Sequence, residues 1–260
     1  MKVLNCSRYL LSFLLLFVFT VPVLSQEQPK DQLFYIHEEV AKISKIDQYN
    51  STSKEFSQMM MDSKLDVPFI RASQTDDLTF YYLVPLNNYG DIDKMSAAFN
   101  DMISKGDKDK MNKMMKENAE SIASVRELVF KRSGSLSYEG QDQGLDWSKS
   151  NFIHWDYYTV MSGKMKEMLA LGAKYKKLCE DKKIPTPYTV WLADMGEDDN
   201  LIVITTSAKD AVSFYQQTDK DNAALGKEGD DLWHQMIPLL EHFEHKNGQS
   251  RPDLSYMKSK

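Results

Sequence analysis

The sequence predicts an α+β fold in which a βαββαβ unit is written twice, as two tandem ferredoxin-like repeats. Three observations carry this expectation. Phe152-Ile153-His154-Trp155-Asp156-Tyr157-Tyr158 echoes Tyr35-Ile36-His37-Glu38-Glu39 at a distance of 117 positions. Leu136-Ser137-Tyr138 returns as Leu254-Ser255-Tyr256, 118 positions on. Between these landmarks each half reads strand, helix, strand, strand, helix, strand, the signature of a duplicated unit.

In the first half, Leu33 to Ile43 is strand-like, with aromatic and β-branched residues bounded by polar ones. Ser44-Lys45-Ile46-Asp47 fits a capping box, and Ile46, Tyr49, Ser53, Phe56 and Met60 recur at helical spacing until Asp66-Val67-Pro68 breaks the pattern. Phe69 to Gln74 and Leu78 to Pro85 read as a hairpin turning at Thr75-Asp76-Asp77. Met95, Ala98, Phe99 and Met102 begin a second helix, interrupted near Lys105-Gly106-Asp107. The spacing continues it through Met111, Met114, Met115, Ile122, Val125 and Val129, a stripe that reads as core packing rather than a soft-metal site. Ser135 to Tyr138 closes the half.

The second half repeats the order. Phe152 to Val160 is a strand, and Ser162 caps a helix with Met165, Met168, Leu169, Gly172, Tyr175 and Cys179 on one side. Tyr188 to Ala193 and Leu201 to Thr206 form a hairpin around Gly196-Glu197-Asp198-Asp199-Asn200. A helical pattern runs from Lys209 through Trp233, Leu240 and Phe243, with a kink expected at Pro238. The domain boundaries that follow are a signal peptide over 1–25, repeats over 33–139 and 151–257, and a polar linker over 140–150.

Composition bounds the function. Lys2 and Arg8 precede an apolar run from Tyr9 to Val23, too short for a comfortable membrane span, and the run ends before polar Gln26-Glu27-Gln28. The expectation is a chain exported by a cleaved signal, periplasmic or extracellular, with no membrane span after cleavage. The mature chain keeps 30 basic against 38 acidic side chains and carries no dense basic stripe, which argues against nucleic acid as a partner. Cys6 leaves with the signal. Cys179 then stands alone, so no internal disulfide is available and the thiol reads as a buried structural one.

A βαββαβ unit has both helices on one sheet face and leaves the other bare, and two fused copies can cover each other. On that element order the chain resembles the dimeric α/β-barrel superfamily in a single-chain, tandem form, so the expected fold is two ferredoxin-like repeats packed as a pseudo-dimeric α/β barrel. The resemblance covers nearly all of the mature chain and carries no family-specific motif. It implies a ligand pocket, and it keeps open small monooxygenases and haem-binding enzymes. Haem therefore stays a candidate cofactor, and fusion of two units suits a monomer.

Strand alternation sorts the candidate residues. Tyr35, His37 and Glu39 share one face, as do Phe152, His154, Asp156 and Tyr158; the more apolar set (Phe34, Ile36, Val40, Ile153, Trp155, Tyr157) suits the helix side. The mixed set is therefore expected to look into the space between two sheets, as pseudo-symmetric histidine–carboxylate pairs in one aromatic-lined pocket. Such pairs can act as general acid and base or hold a polar group of a small, apolar or aromatic molecule. Read blandly, they are satisfied core histidines. Glu241-His242-Phe243-Glu244-His245 lacks HExxH spacing and reads as a solvated helix end, not a metal site. The leading expectation is an exported small-molecule-binding protein. Its rivals are an enzyme of the barrel type, using cofactor-independent oxygenation or haem, and a structural envelope protein without a pocket.

Overall fold

The computed structural model describes residues 30–140 and 150–258. The expected signal peptide and most of the expected linker lie outside the described residues. The first half contains β1 (Gln32–Ala41), α1 (Ile46–Ser63), β2 (Phe69–Thr75), β3 (Thr79–Leu86), α2 (Gly90–Lys105), α3 (Lys108–Ser121) and β4 (Ile122–Arg132). The second contains β5 (Phe152–Val160), α4 (Met165–Asp181), β6 (Thr189–Met195), β7 (Leu201–Ala208), α5 (Ala211–Met236) and β8 (Leu240–Ser250), followed by the two-residue β9 (Tyr256–Met257).

The expectation of two ferredoxin-like repeats packed as a pseudo-dimer of sheets is corrected by the strand pairing. All strands join antiparallel partners in the order β3-β1-β4-β6-β7-β5-β8-β2-β9, and β2 pairs with β3 as well. Eight strands therefore close into one antiparallel barrel with five α-helices outside it, rather than two four-stranded sheets lying face to face. Closure removes the open edges that separate sheets would expose.

Two seams make the closure, β4–β6 and β8–β2. Val129 opposes Met195 at the first seam and Thr75 opposes Gly248 at the second. Each needs a glycine for close approach: a Cβ on Gly196 would fall 2.3 Å from the Glu127 carbonyl oxygen, and one on Gly248 would fall 2.0 Å from that of Gln74. Each is also clasped by an ion pair. Arg126 on β4 meets Glu197 in the β6–β7 turn at 2.7 Å, and Lys246 on β8 meets Asp77 in the β2–β3 turn at 2.8 Å.

The inside of the barrel is nearly filled, leaving a cavity of only about 70 Å³. Ile36, Leu128, Phe130, Ile153, Trp155, Trp191 and Val203 form a buried cluster with Phe34, Tyr81, Leu83 and Tyr157 packed against it. An eight-stranded barrel is just wide enough for side chains to fill it, and the bulky rings take that space. The expected facing of the strands is thus reversed: the apolar set points inward, and His37 and His154 point outward, toward the helices. Glu38, which breaks the apolar alternation, is buried at the barrel mouth, where the Arg126 guanidinium holds it at 2.8 and 2.9 Å.

Several local expectations are corrected too. The helical spacing through Ile122, Val125 and Val129 belongs to strand β4, and Leu240 and Phe243 lie on β8. Pro238 sits in a 3-10 turn after α5 ends, rather than kinking a helix. Ser44 and Ser162 make no capping bond at the starts of α1 and α4. Asp107 does cap α3, accepting from the amides of Asp109 and Lys110. The stretches read as closing strands serve as latches: Tyr138 Oη donates to the Ile184 carbonyl at 2.6 Å and Tyr256 Oη to that of Leu65 at 2.7 Å.

Candidate functional site

Because β1 presents every second residue outward, Tyr35, His37 and Glu39 lie on a strip under α1, α2 and α3. Between strip and helices is a cavity of about 730 Å³. Its walls are apolar and methionine-rich, with Phe56, Met60, Met95, Phe99, Met114 and Met115 among the lining residues. Thioether side chains suit an irregular ligand surface. The Met stripe that the sequence assigned to core packing thus does both jobs: Met95, Met102, Met111 and Met114 are buried, and Met95 and Met114 also line this cavity.

The polar groups converge on His37. Its Nε2 lies 2.9 Å from Glu39 Oε1, and its Nδ1 lies 2.8 Å from Glu127 Oε1 on the neighbouring strand β4. Burial pulls the imidazole pKa down, but hydrogen bonds and charge from Glu39 and Glu127 outweigh it and leave the pKa raised. Carboxylates only accept, so the imidazole that satisfies both is the protonated one. The two acids differ in exposure. The Glu39 side chain is 9% exposed and receives the Tyr49 hydroxyl at 2.6 Å, whereas that of Glu127 is 53% exposed and receives the Tyr35 hydroxyl. Glu39 therefore fixes the ring, and Nδ1 is the side a ligand can reach by displacing Glu127. In the same cavity, the buried Ser53 Oγ makes no close hydrogen bond, only a loose one with the Tyr82 hydroxyl.

The strip on β5 builds a second cavity, of about 650 Å³, under α4 and α5. His154, Asp156 and Tyr158 line it. His154 Nε2 lies 3.1 Å from Asp156 Oδ1, and Nδ1 lies 2.7 Å from Asn247 Oδ1. Burial lowers this imidazole's pKa too, and the hydrogen bonds to Asp156 and Asn247 more than restore it. Phe152 lines neither cavity; it packs on Phe214 with ring centres 5.3 Å apart. The seven candidate residues are thus not one pocket between sheets. The structure divides six of them between two pockets outside the barrel and assigns Phe152 to packing.

Sequence reasoning missed Glu127 and Ser53, which line the first cavity, Tyr49, which holds Glu39 from the core behind it, and Asn247, which holds His154 at the second. Glu127 and Asn247 sit directly opposite the two histidines in the strand register, and no local pattern reveals a cross-strand partner. His245, passed over in a supposed helix end, lies on β8 and stacks on His154 at 5.5 Å. No group of three His, Cys, Asp or Glu suited to a metal occurs among the described residues. The donor set does not suit haem either. Neither cavity is lined by Lys or Arg to meet propionates, and both nitrogens of His37 and of His154 are already engaged. Cys179 is buried, which pushes its thiol up to about 12, with Asp221 and Glu180 adding to the shift, so the protonated thiol is the favoured form. No helix among the described residues is long and apolar enough to cross a membrane.

No protein-family model and no curated protein matches the chain. Solved structures do. An anthrone oxidase-like protein matches at 10% identity with a TM-score of 0.60, over 88% of this chain and 94% of its own. A proposed monooxygenase from Fusobacterium nucleatum subsp. nucleatum matches at 14% identity and TM-score 0.55, over 84% and 92%. One from Lactobacillus acidophilus matches at 8% and 0.53, over 88% and 98%. At such identities the likeness speaks to the fold alone.

Proposed function

We propose that this chain is an exported protein that binds a small, largely apolar molecule in the first cavity, with His37 donating to an oxygen of that molecule. One observation carries the reading: an apolar cavity of about 730 Å³ whose polar groups converge on a single imidazole. The imidazolium is held by buried Glu39 on one nitrogen and by exposed Glu127 on the other. A carbonyl or phenolate oxygen can take the place of Glu127, and the buried Ser53 hydroxyl supplies a second contact. Burying an apolar body of two or three rings against the Met walls adds roughly 25 cal/mol per Å² removed from water.

A second reading, oxygenation of the same class of molecule without a cofactor, draws support from the likeness to the anthrone oxidase-like protein and the two proposed monooxygenases. Anthrone illustrates the balance. His37, once deprotonated, takes a C10 proton; the resulting enolate is oxidised by dioxygen, and the products are anthraquinone and water. In this reading Glu39 holds the ring as an orienting carboxylate, and turnover rises with pH as His37 loses its proton.

The test is calorimetric titration of the purified chain with anthrone, without air and then with it. The binding reading expects saturable one-to-one binding that His37→Ala weakens at least tenfold. The oxygenation reading expects dioxygen uptake equal to the anthraquinone formed. Saturation unaffected by His37→Ala, or an absence of binding together with a bare protein mass in native mass spectrometry, overturns the assignment.

A further inference from the structure

The second cavity differs from the first in where its charges stand. In the first, both acids meet His37. In the second, Asp156 meets His154, but Asp221 lines the cavity elsewhere and Asp230 lies toward its rim on α5. Asp221 is 8% exposed, and its partners among the described residues are the Thr186 hydroxyl and the Gln217 amide, at 2.7 Å for the latter. Both donors are neutral. No Lys or Arg occurs among the residues lining this cavity. A buried carboxylate held by neutral donors is electrostatically incomplete and gains from a cation brought to it.

The walls suit a cation that is also apolar. Tyr175 and Tyr188 pair at 6.0 Å, and Tyr158 and Trp233 meet edge-on at 6.3 Å, all four lining the cavity. Burial raises the pKa of Tyr175 first, with Cys179 and Asp221 adding to it, so this ring stays a neutral phenol beside the acid. The faces of such rings attract ammonium groups. The rest of the lining includes Met168, Ile202 and Leu225, which suits a hydrocarbon body rather than a bare ion. A metal ion lacks its ligand set among the described residues, and an anion meets no positive partner from Lys or Arg.

We infer that the second cavity is a separate binding site for an organic cation with an apolar body, such as an arylalkylammonium or quaternary ammonium, its charge set against Asp221 and the aromatic rings. The inference is independent of what occupies the first cavity.

The test is calorimetric titration of the purified chain with benzyltrimethylammonium, its neutral isostere neopentylbenzene, and the anion phenylmethanesulfonate. The expected result is one-to-one binding of the cation at least tenfold tighter than either analogue. Asp221→Asn, which keeps the shape and removes the charge, weakens it at least tenfold, and Trp233→Ala at least threefold. Should Asp221→Asn fail to fold by circular dichroism, the partly exposed Trp233 makes the second variant decisive. Equal binding of the neutral isostere, binding unchanged in the folded variants, or no saturable binding of the cation up to millimolar concentration overturns the assignment.

Discussion

The two halves place a histidine at the same point of a strand and a carboxylate two residues later, then diverge one strand away. Opposite His37 stands Glu127; opposite His154 stands Asn247. Two carboxylates accept and never donate, so the first site commits its imidazole to the charged form. Asn247 can present either oxygen or nitrogen. It now accepts from His154 while donating to Tyr215 at 3.1 Å, and a turn of the amide would serve a neutral ring as well. One cross-strand residue thus decides whether the floor of a cavity is a fixed donor or an adaptable group. The seams diverge in the same manner. Arg126 joins Glu197 to the buried Glu38, whereas Lys246 reaches Asp77, whose side chain is half exposed.

The seams offer the largest effect. Arg126→Ala removes the partner of a buried carboxylate, and breaking such a pair costs about 3 kcal/mol. A urea denaturation midpoint that stays within error of the parent would show that Glu38 finds water or another donor. Next in size is the contrast between the histidines. His37→Ala is expected to weaken anthrone binding at least tenfold, about 1.4 kcal/mol, and His154→Ala less than twofold. Equal losses would mean that one ligand site spans both halves.

The cross-strand exchange can be tested directly. Glu127→Asn should lower the His37 pKa, and Asn247→Glu should raise that of His154, read from the imidazole proton shifts in NMR titrations. The sign for stability follows. His37 titrates above its unfolded value, so its contribution is complete below about pH 6.5. It fades as pH rises through the folded pKa, and Glu127→Asn should flatten that slope above about pH 6.5. A slope unchanged by the exchange would assign the pKa to Glu39 alone.

What the sequence shows of this fold follows the range of the interactions. Strands β1 and β5 are legible because a period of two survives any packing. The pairing of His37 with Glu39 is legible because both lie on one strand face. Strands β4 and β8 are not, since Ile122, Val125 and Val129 happen to fall three and four apart and imitate a helix continuing from α3. The facing of the strands was also hidden. Which side of β1 turns inward is decided by the β4–β6 and β8–β2 seams, between residues far apart in the chain, and a barrel interior can hold Trp155 and Trp191 as readily as a helix face can. Glu127 stayed hidden for both reasons: its strand was read as helix, and its partner lies 90 positions away.

Smaller effects separate ligand contacts from fold contacts. Ser53 carries a buried hydroxyl with no close hydrogen bond and only a loose one to Tyr82, so Ser53→Ala should shift stability by no more than about 1 kcal/mol in either direction. The same change should weaken anthrone binding severalfold. A loss well above that would mean that the bond to Tyr82 is a strong one.

The weaker seam gives the smallest change. Burial alone would raise the carboxyl of Asp77, but hydrogen bonds from Lys246, Thr75 and Thr79 pull it down to about 2. A depressed folded pKa means that the stabilisation is complete above the unfolded value near 3.9 and is lost as pH falls toward 2. Asp77→Asn should therefore cost under about 1 kcal/mol at pH 7, as befits a half-exposed pair. The parent and variant curves should converge by pH 2. A gap that persists at pH 2 would assign the cost to the neutral bonds with Thr75 and Thr79, leaving the β8–β2 seam held by its backbone ladder and the close approach at Gly248 instead of by charge.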